Sequence, residues 1–393
     1  MPLSDFSTLI SELAQGDQLR TRRVVDSPQG AYVVVDGRRL TAFASNDYLG
    51  LAADPRVVEA GKRALDRYGV GAGAAHFVCG HMTPHHLLEQ RLAEFMGMRK
   101  TIFFPSGYAA NIGMLTALAG RGDIIFADKL NHACLNDGAL LSRATFKRYA
   151  HGNMAKLRAL LASQADSRGR KLIVTDAVFS MDGDLAPLPA LLELAEEFDA
   201  LLLIDDAHGF GVLGKNGRGS LSHFGLNSDR IVYMATLGKA AGVYGAFIAG
   251  DENVIEWILQ SARTYLFTTA TPPVIAAALL TSLHILDNED ERREQLNANI
   301  QIFSQGLKLQ RWQLQPSITA IQPVIVGSNH AALQAADALR TRGFWVPAIR
   351  PPTVPPGRAR LRISLSAEHT LADIMDLIVA LTDIEAADAQ PRA

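Results

Sequence analysis

The chain has 393 residues, of which 48% are hydrophobic and 20% charged, and its formal net charge is −2. That length suits a large domain with a smaller one, and the composition supports a sizeable core and excludes extensive disorder. A near-neutral charge without a long basic run argues against nucleic acid and anionic membrane as partners, and two cysteines, Cys79 and Cys134, are too few for a disulfide framework and fit a reducing cytosol.

The opening stretch "MPLSDFSTLISELAQGDQLRTRR" carries Asp5 and Glu12 inside its apolar pattern, so it reads as an amphipathic helix with a basic tail and not as a signal peptide. No apolar run reaches the roughly 18 residues that a membrane helix needs. A soluble, cytoplasmic protein is expected. "AYVVVDGRRLTAFAS" places two β-rich runs around Asp36-Gly37, a strong hairpin signal. An alternation follows: strand "TIFFP", helix "YAANIGMLTALAG", strand "DIIFAD", helix "HACLNDGALLS", strand "FKRYAH", helix "NMAKLRALLASQ", strand "KLIVTDAVF", helix "LPALLELAEEFDA", then strands "LLLID", "RIVYMATLG" and "AFIAG". Short apolar strands alternating with amphipathic helices predict a largely parallel sheet covered on both faces, with its ligands just beyond the strand ends. From about residue 275 a long helical region leads to "AIQPVIVG", "FWVPAIRPP" and "ARLRISLS", a smaller α+β pattern. The predicted division is an N-terminal helix and hairpin over 1–43, a large α/β domain over 44–275 and a C-terminal α+β domain over 276–393.

Three motifs compete for attention as decoys. "GFGVLGKN" resembles a phosphate-cradling P-loop, but Asn216 stands where that loop needs Ser or Thr, and "NGRGS" after it is turn chemistry where a helix is required. "GVGAGA" (69–74) fits a dinucleotide pattern with Glu89 at about the expected distance, yet a helical segment precedes it and Glu89 lies inside an amphipathic run. "CGHMTPHH" gathers Cys79, His81, His85 and His86, but Thr83-Pro84 reads as a helix cap and first turn. His81 then precedes the helix, the 81/85 spacing is not one helical turn, and ordinary loop and helix-surface histidines are expected with no metal.

The chemistry concentrates elsewhere. Asp205 ends the strand "LLLID" with His208 just beyond it, and Lys239 lies at the end of another strand among small residues in "TLGKAAGVYG". A buried lysine can form a Schiff base with an aldehyde cofactor, and pyridoxal phosphate (PLP) then needs a carboxylate beside its pyridinium nitrogen and donors for its phosphate. "PSGYAAN" joins a strand to a helix, so the amides near Gly107 and Tyr108 can face a phosphate, while Ser180 and Thr236 end other strands.

Over nearly its full length the chain resembles the α-oxoamine synthases, PLP-dependent enzymes that condense an amino acid with an acyl thioester and release CO2. The stretches that carry the resemblance are "SNDYLGL", "FFPSGYAAN", "DKLNHACLNDG", "VFSMDGDLAPL", "IDDAHGFGVLGKNGRGS" and "TLGKAAGV". It implies an α/β, aspartate-aminotransferase-like fold with a large, mostly parallel sheet domain that binds PLP and a smaller C-terminal α+β domain. It also implies roles: Lys239 carries the Schiff base and moves protons, Asp205 pairs with the pyridine nitrogen, His208 bonds the phenolic oxygen and His132 stacks on the ring. Gly107, Tyr108, Ser180 and Thr236 anchor the phosphate or the ring's polar atoms. Arg362 holds the amino-acid carboxylate, Asn46 lines the same pocket, and Arg20 and Thr353 meet the acyl substrate. The tail "AIRPPTVPPGRARLRISLSAEHT" is most similar to that of members using L-alanine and a pimeloyl thioester, carried by acyl carrier protein or coenzyme A. The alternatives are members that transfer acetyl, succinyl or palmitoyl groups to glycine or serine. A homodimer is implied as well. The chain departs from the family at the loop around Gly71–His86, at Tyr244, where a small Ser is expected, and at Asp176, a place often held by Glu.

Overall fold

The computed structural model describes residues 3–388. Its elements begin with α1 (Leu3–Gln15), β1 (Tyr32–Val35), β2 (Arg38–Ala42), α2 (Pro55–Tyr68), α3 (Thr83–Met96), β3 (Lys100–Phe104), α4 (Gly107–Leu118), β4 (Ile124–Asp128), α5 (Ala133–Ser142) and β5 (Thr145–Tyr149). They continue with α6 (Met154–Ala162), β6 (Lys171–Asp176), α7 (Leu188–Glu197), β7 (Ala200–Asp205), α8 (Gly219–Phe224), β8 (Ile231–Thr236), β9 (Ala246–Gly250), α9 (Glu252–Ser261), α10 (Arg263–Leu266) and α11 (Pro273–Asn288). The chain ends through α12 (Glu291–Gly306), β10 (Gln313–Leu314), β11 (Ile321–Gly327), α13 (Asn329–Thr341), β12 (Phe344–Trp345), β13 (Ala348–Ile349), β14 (Ala359–Ser364) and α14 (Leu371–Asp388).

The fold separates into two compact units. The larger comprises Leu51–Ser180 and Leu185–Arg293. Its seven-stranded sheet has the order β3-β9-β8-β7-β6-β4-β5. The strands β8, β7, β6, β4 and β5 run parallel, and β9 lies antiparallel between β3 and β8. The central strands are buried along their length, which is why they read as continuous apolar runs and not as alternating ones. Helix α4 is apolar around most of its circumference. It sits in the core with Ile102, Phe104, Ile125, Val174, Leu203 and Val232.

The smaller unit joins both ends of the chain: Met1–Gly50, Met181–Asp184 and Glu294–Ala393. The hairpin β1–β2 forms as the sequence predicts, with Asp36 and Gly37 at φ 51° and 77°, the left-handed pair that a two-residue turn demands. Strand β12 then pairs in parallel with β2, Phe344 opposite Thr41 and Trp345 opposite Ala42. A second sheet has the order β10-β11-β14-β13. In it Arg360 is almost fully buried and donates from Nη1 to the Met181 carbonyl at 2.9 Å and to Asp182 Oδ1 at 2.7 Å. Among the described residues no helix is long and apolar enough to cross a membrane.

Candidate active site

In the larger unit the strand ends deliver three functional groups to one place. Strand β7 stops at Asp205, whose side chain is buried and accepts on both oxygens: Oδ2 from Asn111 Nδ2 at 2.7 Å and Oδ1 from the Ala207 amide at 2.9 Å. Three residues on, buried His208 places Nε2 2.8 Å from Lys239 Nζ. Lys239 rides on the loop that reverses the chain between β8 and β9. That loop is closed by Leu237 N to Gly245 O at 2.8 Å, Val243 N to Leu237 O at 3.0 Å and Gly242 N to Lys239 O at 2.8 Å. Its tight turn requires Gly242: φ is 71°, and a Cβ there would stand 2.5 Å from the Leu51 carbonyl carbon and the Ala52 amide nitrogen. Thr236, the last residue of β8, donates to the Gly245 carbonyl at 3.0 Å.

Helix α4 starts beside this loop. Ser106 caps it, accepting from the Ala109 amide at 3.2 Å. The amides of Gly107 and Tyr108 are the first two N–H groups of the helix, outside its internal ladder and at the positive end of its dipole. A Cβ on Gly107 would touch Thr236 at 3.8 Å, so the helix start and the end of β8 adjoin. The Tyr108 ring is half exposed and its hydroxyl donates to Asp137 at 2.8 Å. Ser180 is half-buried, beyond the isolated bridge between Val178 and Leu185.

His132 is exposed and caps α5. Its amide donates to Asp176 Oδ2 at 2.7 Å, and Asp176 stands directly opposite Asp205 in the β6–β7 register. Burial, and then the Asp205 carboxylate, push the Asp176 carboxyl well above the ordinary range. Asp206, next to Asp205, faces the other way. It is fully buried and accepts from the Ser220 amide and hydroxyl, both at 2.6 Å, and from the Tyr233 hydroxyl at 2.8 Å. Burial raises it to about 6.

In the smaller unit two pairs form. Arg362, on β14 and 5% exposed, donates to Asn46 Oδ1 at 3.2 Å and to Ser364 Oγ at 2.8 Å. The Tyr48 hydroxyl donates to the same Asn46 oxygen at 3.1 Å. Arg20 Nη2 donates to Thr353 Oγ1 at 3.0 Å in an exposed setting. Thus Asp205, His208 and Lys239 cluster at one end of the large sheet, with Gly107 and Thr236 adjoining each other beside them. Asn46 with Arg362, and Arg20 with Thr353, are the pairs of the other unit.

The decoys resolve into structure. Lys215–Gly217 is a single 3-10 turn with Asn216 at φ 54°, and α8, which follows, has six residues, so no phosphate cradle forms. Glu89 lies on α3 and accepts from the Phe103 amide at 2.9 Å, tying helix to strand. The histidine loop differs from expectation in two respects. Thr83 is already inside α3 and Met82 is the cap. His85 is not on the helix surface but fully buried, accepting from the Met82 amide at 3.0 Å and donating to the Thr271 carbonyl at 2.7 Å, because both its ring nitrogens find backbone partners. Residues 76–80 form one π-helical turn, and His76 Nδ1 lies 3.0 Å from His81 Nδ1. Among the described residues no group of three or more His, Cys, Asp or Glu could hold a metal ion.

Sequence reading missed Asn111 and the contacts of Cys134. Both sit in quoted stretches, and the usable signal was a polar residue on the otherwise apolar α4. It also missed Arg360, whose burial no local pattern announces.

A mostly parallel sheet with a lysine, a carboxylate and a histidine converging at its strand ends defines an α/β enzyme of the kind that works through an aldehyde cofactor. The chain belongs to the aminotransferase class I and II family, whose model matches residues 38–381. It is 57% identical over 384 residues to an 8-amino-7-oxononanoate synthase of Herminiimonas arsenicoxydans, covering 95% of this chain and 98% of that one. With the enzyme of the same name from Aromatoleum aromaticum the identity is 56% over 386 residues, covering 98% and 100%. Among solved structures, a serine palmitoyltransferase from S. paucimobilis with a bound PLP–myriocin aldimine superimposes with a TM-score of 0.93 at 31% identity, covering 98% of this chain and 99% of that one. An 8-amino-7-oxononanoate synthase from Francisella tularensis superimposes with a TM-score of 0.76 at 30% identity, covering 89% and 99%.

Proposed function

We propose that the chain catalyses the PLP-dependent condensation of L-alanine with a pimeloyl thioester, forming 8-amino-7-oxononanoate and releasing CO2 and the thiol carrier, a step of biotin biosynthesis. The observation that carries this reading is the meeting of the Lys239 amine, the His208 imidazole and the Asp205 carboxylate around the ends of β7 and β8. More than half of the aligned residues are shared with relatives named for that product.

The residues fit the cofactor. The amine suits its aldehyde, Asp205 its ring nitrogen and His208 its phenolic oxygen. The amides of Gly107 and Tyr108 with the hydroxyls of Ser180 and Thr236 suit its phosphate or the ring's polar atoms, and His132 suits the ring face. When bound, PLP supplies an electron sink for the charge that develops at the alanine α-carbon. Asp205 is fixed in orientation because both its oxygens already accept N–H donors. Lys239 Nζ takes the alanine α-proton and later returns a proton to the product carbon. Arg362 binds the alanine carboxylate, with Asn46 beside it. Arg20 and Thr353 meet the acyl substrate, delivered by acyl carrier protein or coenzyme A.

We place the active form as a homodimer. Phe77, Val78 and Phe267 are all exposed, apolar surface that a partner subunit would cover. Serine palmitoyltransferase structures superimpose with the higher TM-score, which favours a second α-oxoamine synthase activity, but their identity of 31–32% stands against 57%. The test is a product assay crossing L-alanine, glycine and L-serine with acetyl, pimeloyl and palmitoyl thioesters. Alanine with pimeloyl is the fastest pair on this reading. Faster turnover of glycine with acetyl, or serine with palmitoyl, refutes it.

A further inference from the structure

Cys134 is the second residue of α5 and its side chain is buried. Two polar groups meet its sulfur. His132 Nδ1 lies 2.8 Å away, and Asn111 Nδ2 donates to it at 3.0 Å. The same Asn111 nitrogen donates to Asp205 Oδ2 at 2.7 Å. A carboxylate accepts and does not donate, so the amide orientation of Asn111 follows from its partner. One N–H of Asn111 serves Asp205 and the other serves the sulfur.

The direction of the remaining bond follows as well. The Cys134 amide points at His132 Nδ1 from 3.3 Å, and an amide nitrogen can only donate. His132 Nδ1 is therefore the acceptor, and the thiol hydrogen points at the same atom. Burial first, then the nearby Asp205 carboxylate, push the thiol far above its ordinary range and keep that hydrogen in place. An imidazole that accepts at Nδ1 carries its proton at Nε2 when neutral. The ring is thus presented to the open side of the site as an N–H donor, and its backbone amide is held by Asp176 Oδ2 at 2.7 Å.

We propose that Cys134 is a positioning residue: its thiol, held by Asn111, fixes His132 as the Nε2–H tautomer and ties the orientation of that ring to the Asp205 carboxylate. This rests on the reading of His132 as a residue that faces cofactor and substrate. In the reaction the Nε2–H then donates to an oxygen of the bound substrate. The chain Asp205–Asn111–Cys134–His132 makes one hydrogen-bonded unit out of two groups that lie on different strand ends.

The experiment uses the whole protein labelled with 15N-histidine, together with Cys134→Ser, Cys134→Ala and Asn111→Leu. The ring nitrogens of His132 are assigned by loss of their signals in His132→Ala, and the spectra are read without PLP and with it. Serine keeps a donor at the same place, so Cys134→Ser retains the Nε2–H signature. Cys134→Ala removes the 2.8 Å thiol contact and leaves Nδ1 only the longer amide contact of 3.3 Å, so part of the Nδ1–H tautomer appears, kcat falls by about tenfold, and the affinity for PLP, measured by equilibrium dialysis, stays within about twofold. A pure Nε2–H tautomer in Cys134→Ala overturns the proposal. So does a mixed tautomer with unchanged kcat, because the tautomer then has no part in turnover. Failure of the wild-type protein to join alanine to pimeloyl thioester refutes the functional reading alone. The tautomer of His132 without PLP is read independently of any turnover.

Discussion

Replacing Asp205 with Asn keeps the shape of the side chain and removes its charge. Two effects follow from the geometry. Both carboxylate oxygens accept an N–H, one from Asn111 and one from the Ala207 amide. An asparagine amide has a single acceptor oxygen, so one buried donor is left facing another. That mismatch costs about 1–3 kcal/mol of folding stability. The larger effect is on chemistry. In the role proposed for Asp205, its negative charge would face the cofactor's ring nitrogen and keep the ring a strong electron sink. With each 1.4 kcal/mol of lost transition-state stabilisation worth about tenfold in rate, loss of a buried charge worth several kcal/mol slows α-proton removal by about three orders of magnitude. The assay is exchange of the alanine α-proton into deuterated water, followed by NMR without any acyl substrate, so that only the first chemical step is seen. Exchange within tenfold of wild type, in a variant shown to bind PLP, would sink the assignment of Asp205.

Further outcomes are expected. Lys239→Ala abolishes turnover and the absorbance band of the lysine–PLP Schiff base while leaving non-covalent PLP binding open, and borohydride reduction of the wild type followed by peptide mapping labels Lys239; a label at Lys215 refutes the assignment. Arg362→Lys raises the alanine KM by about ten- to a hundredfold and spares PLP affinity, because lysine cannot offer two parallel N–H bonds to a carboxylate; an unchanged KM measured at saturating acyl substrate rules this out. Asp206 gives a pH signature. Its folded carboxyl is raised to about 6, so the fold favours the protonated form, and that contribution is full below the unfolded value and fades as pH rises through about 6. The preference for the protonated form is worth at most about 3 kcal/mol. Denaturant unfolding from about pH 4 to 7 should show a slope that Asp206→Asn removes; an equal slope in both proteins contradicts the origin assigned to it.

Much of the fold was legible because local signals and burial agreed. The Asp36-Gly37 turn, the apolar run Leu201–Ile204 and the amphipathic α2 each announce themselves within ten or so residues, and each forms. The antiparallel entry of β9 between β3 and β8 was not legible, since strand direction depends on partners far away in sequence. The helix of α3 was clear, but its cap was misplaced by one residue: Thr83 is already helical and Met82 is the cap, with the His85 ring accepting from the Met82 amide. At the candidate site, Asp205, His208 and Lys239 stood out through their places after strands. The relay through Asn111 and Cys134 stayed hidden, because it joins helices α4 and α5 through side chains that composition treats as filler. Asp206 shows the opposite hazard. It adjoins Asp205 in sequence, yet alternation along the strand end turns it to Ser220 and Tyr233.

The parallel pairing of β12 with β2 bears on the order in which a growing chain can fold. The hairpin emerges from the ribosome early, but the strand that covers its free edge starts at Phe344. At ordinary rates of synthesis the intervening chain takes on the order of tens of seconds to appear. During that interval Val33, Val35 and Leu40, buried in the finished protein, have only each other and their near neighbours for cover. The larger unit, by contrast, is made of residues 51–180 and 185–293, so its sheet can close while the last hundred or so residues are still being added. The nascent chain therefore carries a finished α/β body between an early hairpin and its late partner. The exposed edge of β2 is where a trigger-type chaperone, or a mispaired strand from a neighbouring nascent chain, would be met first.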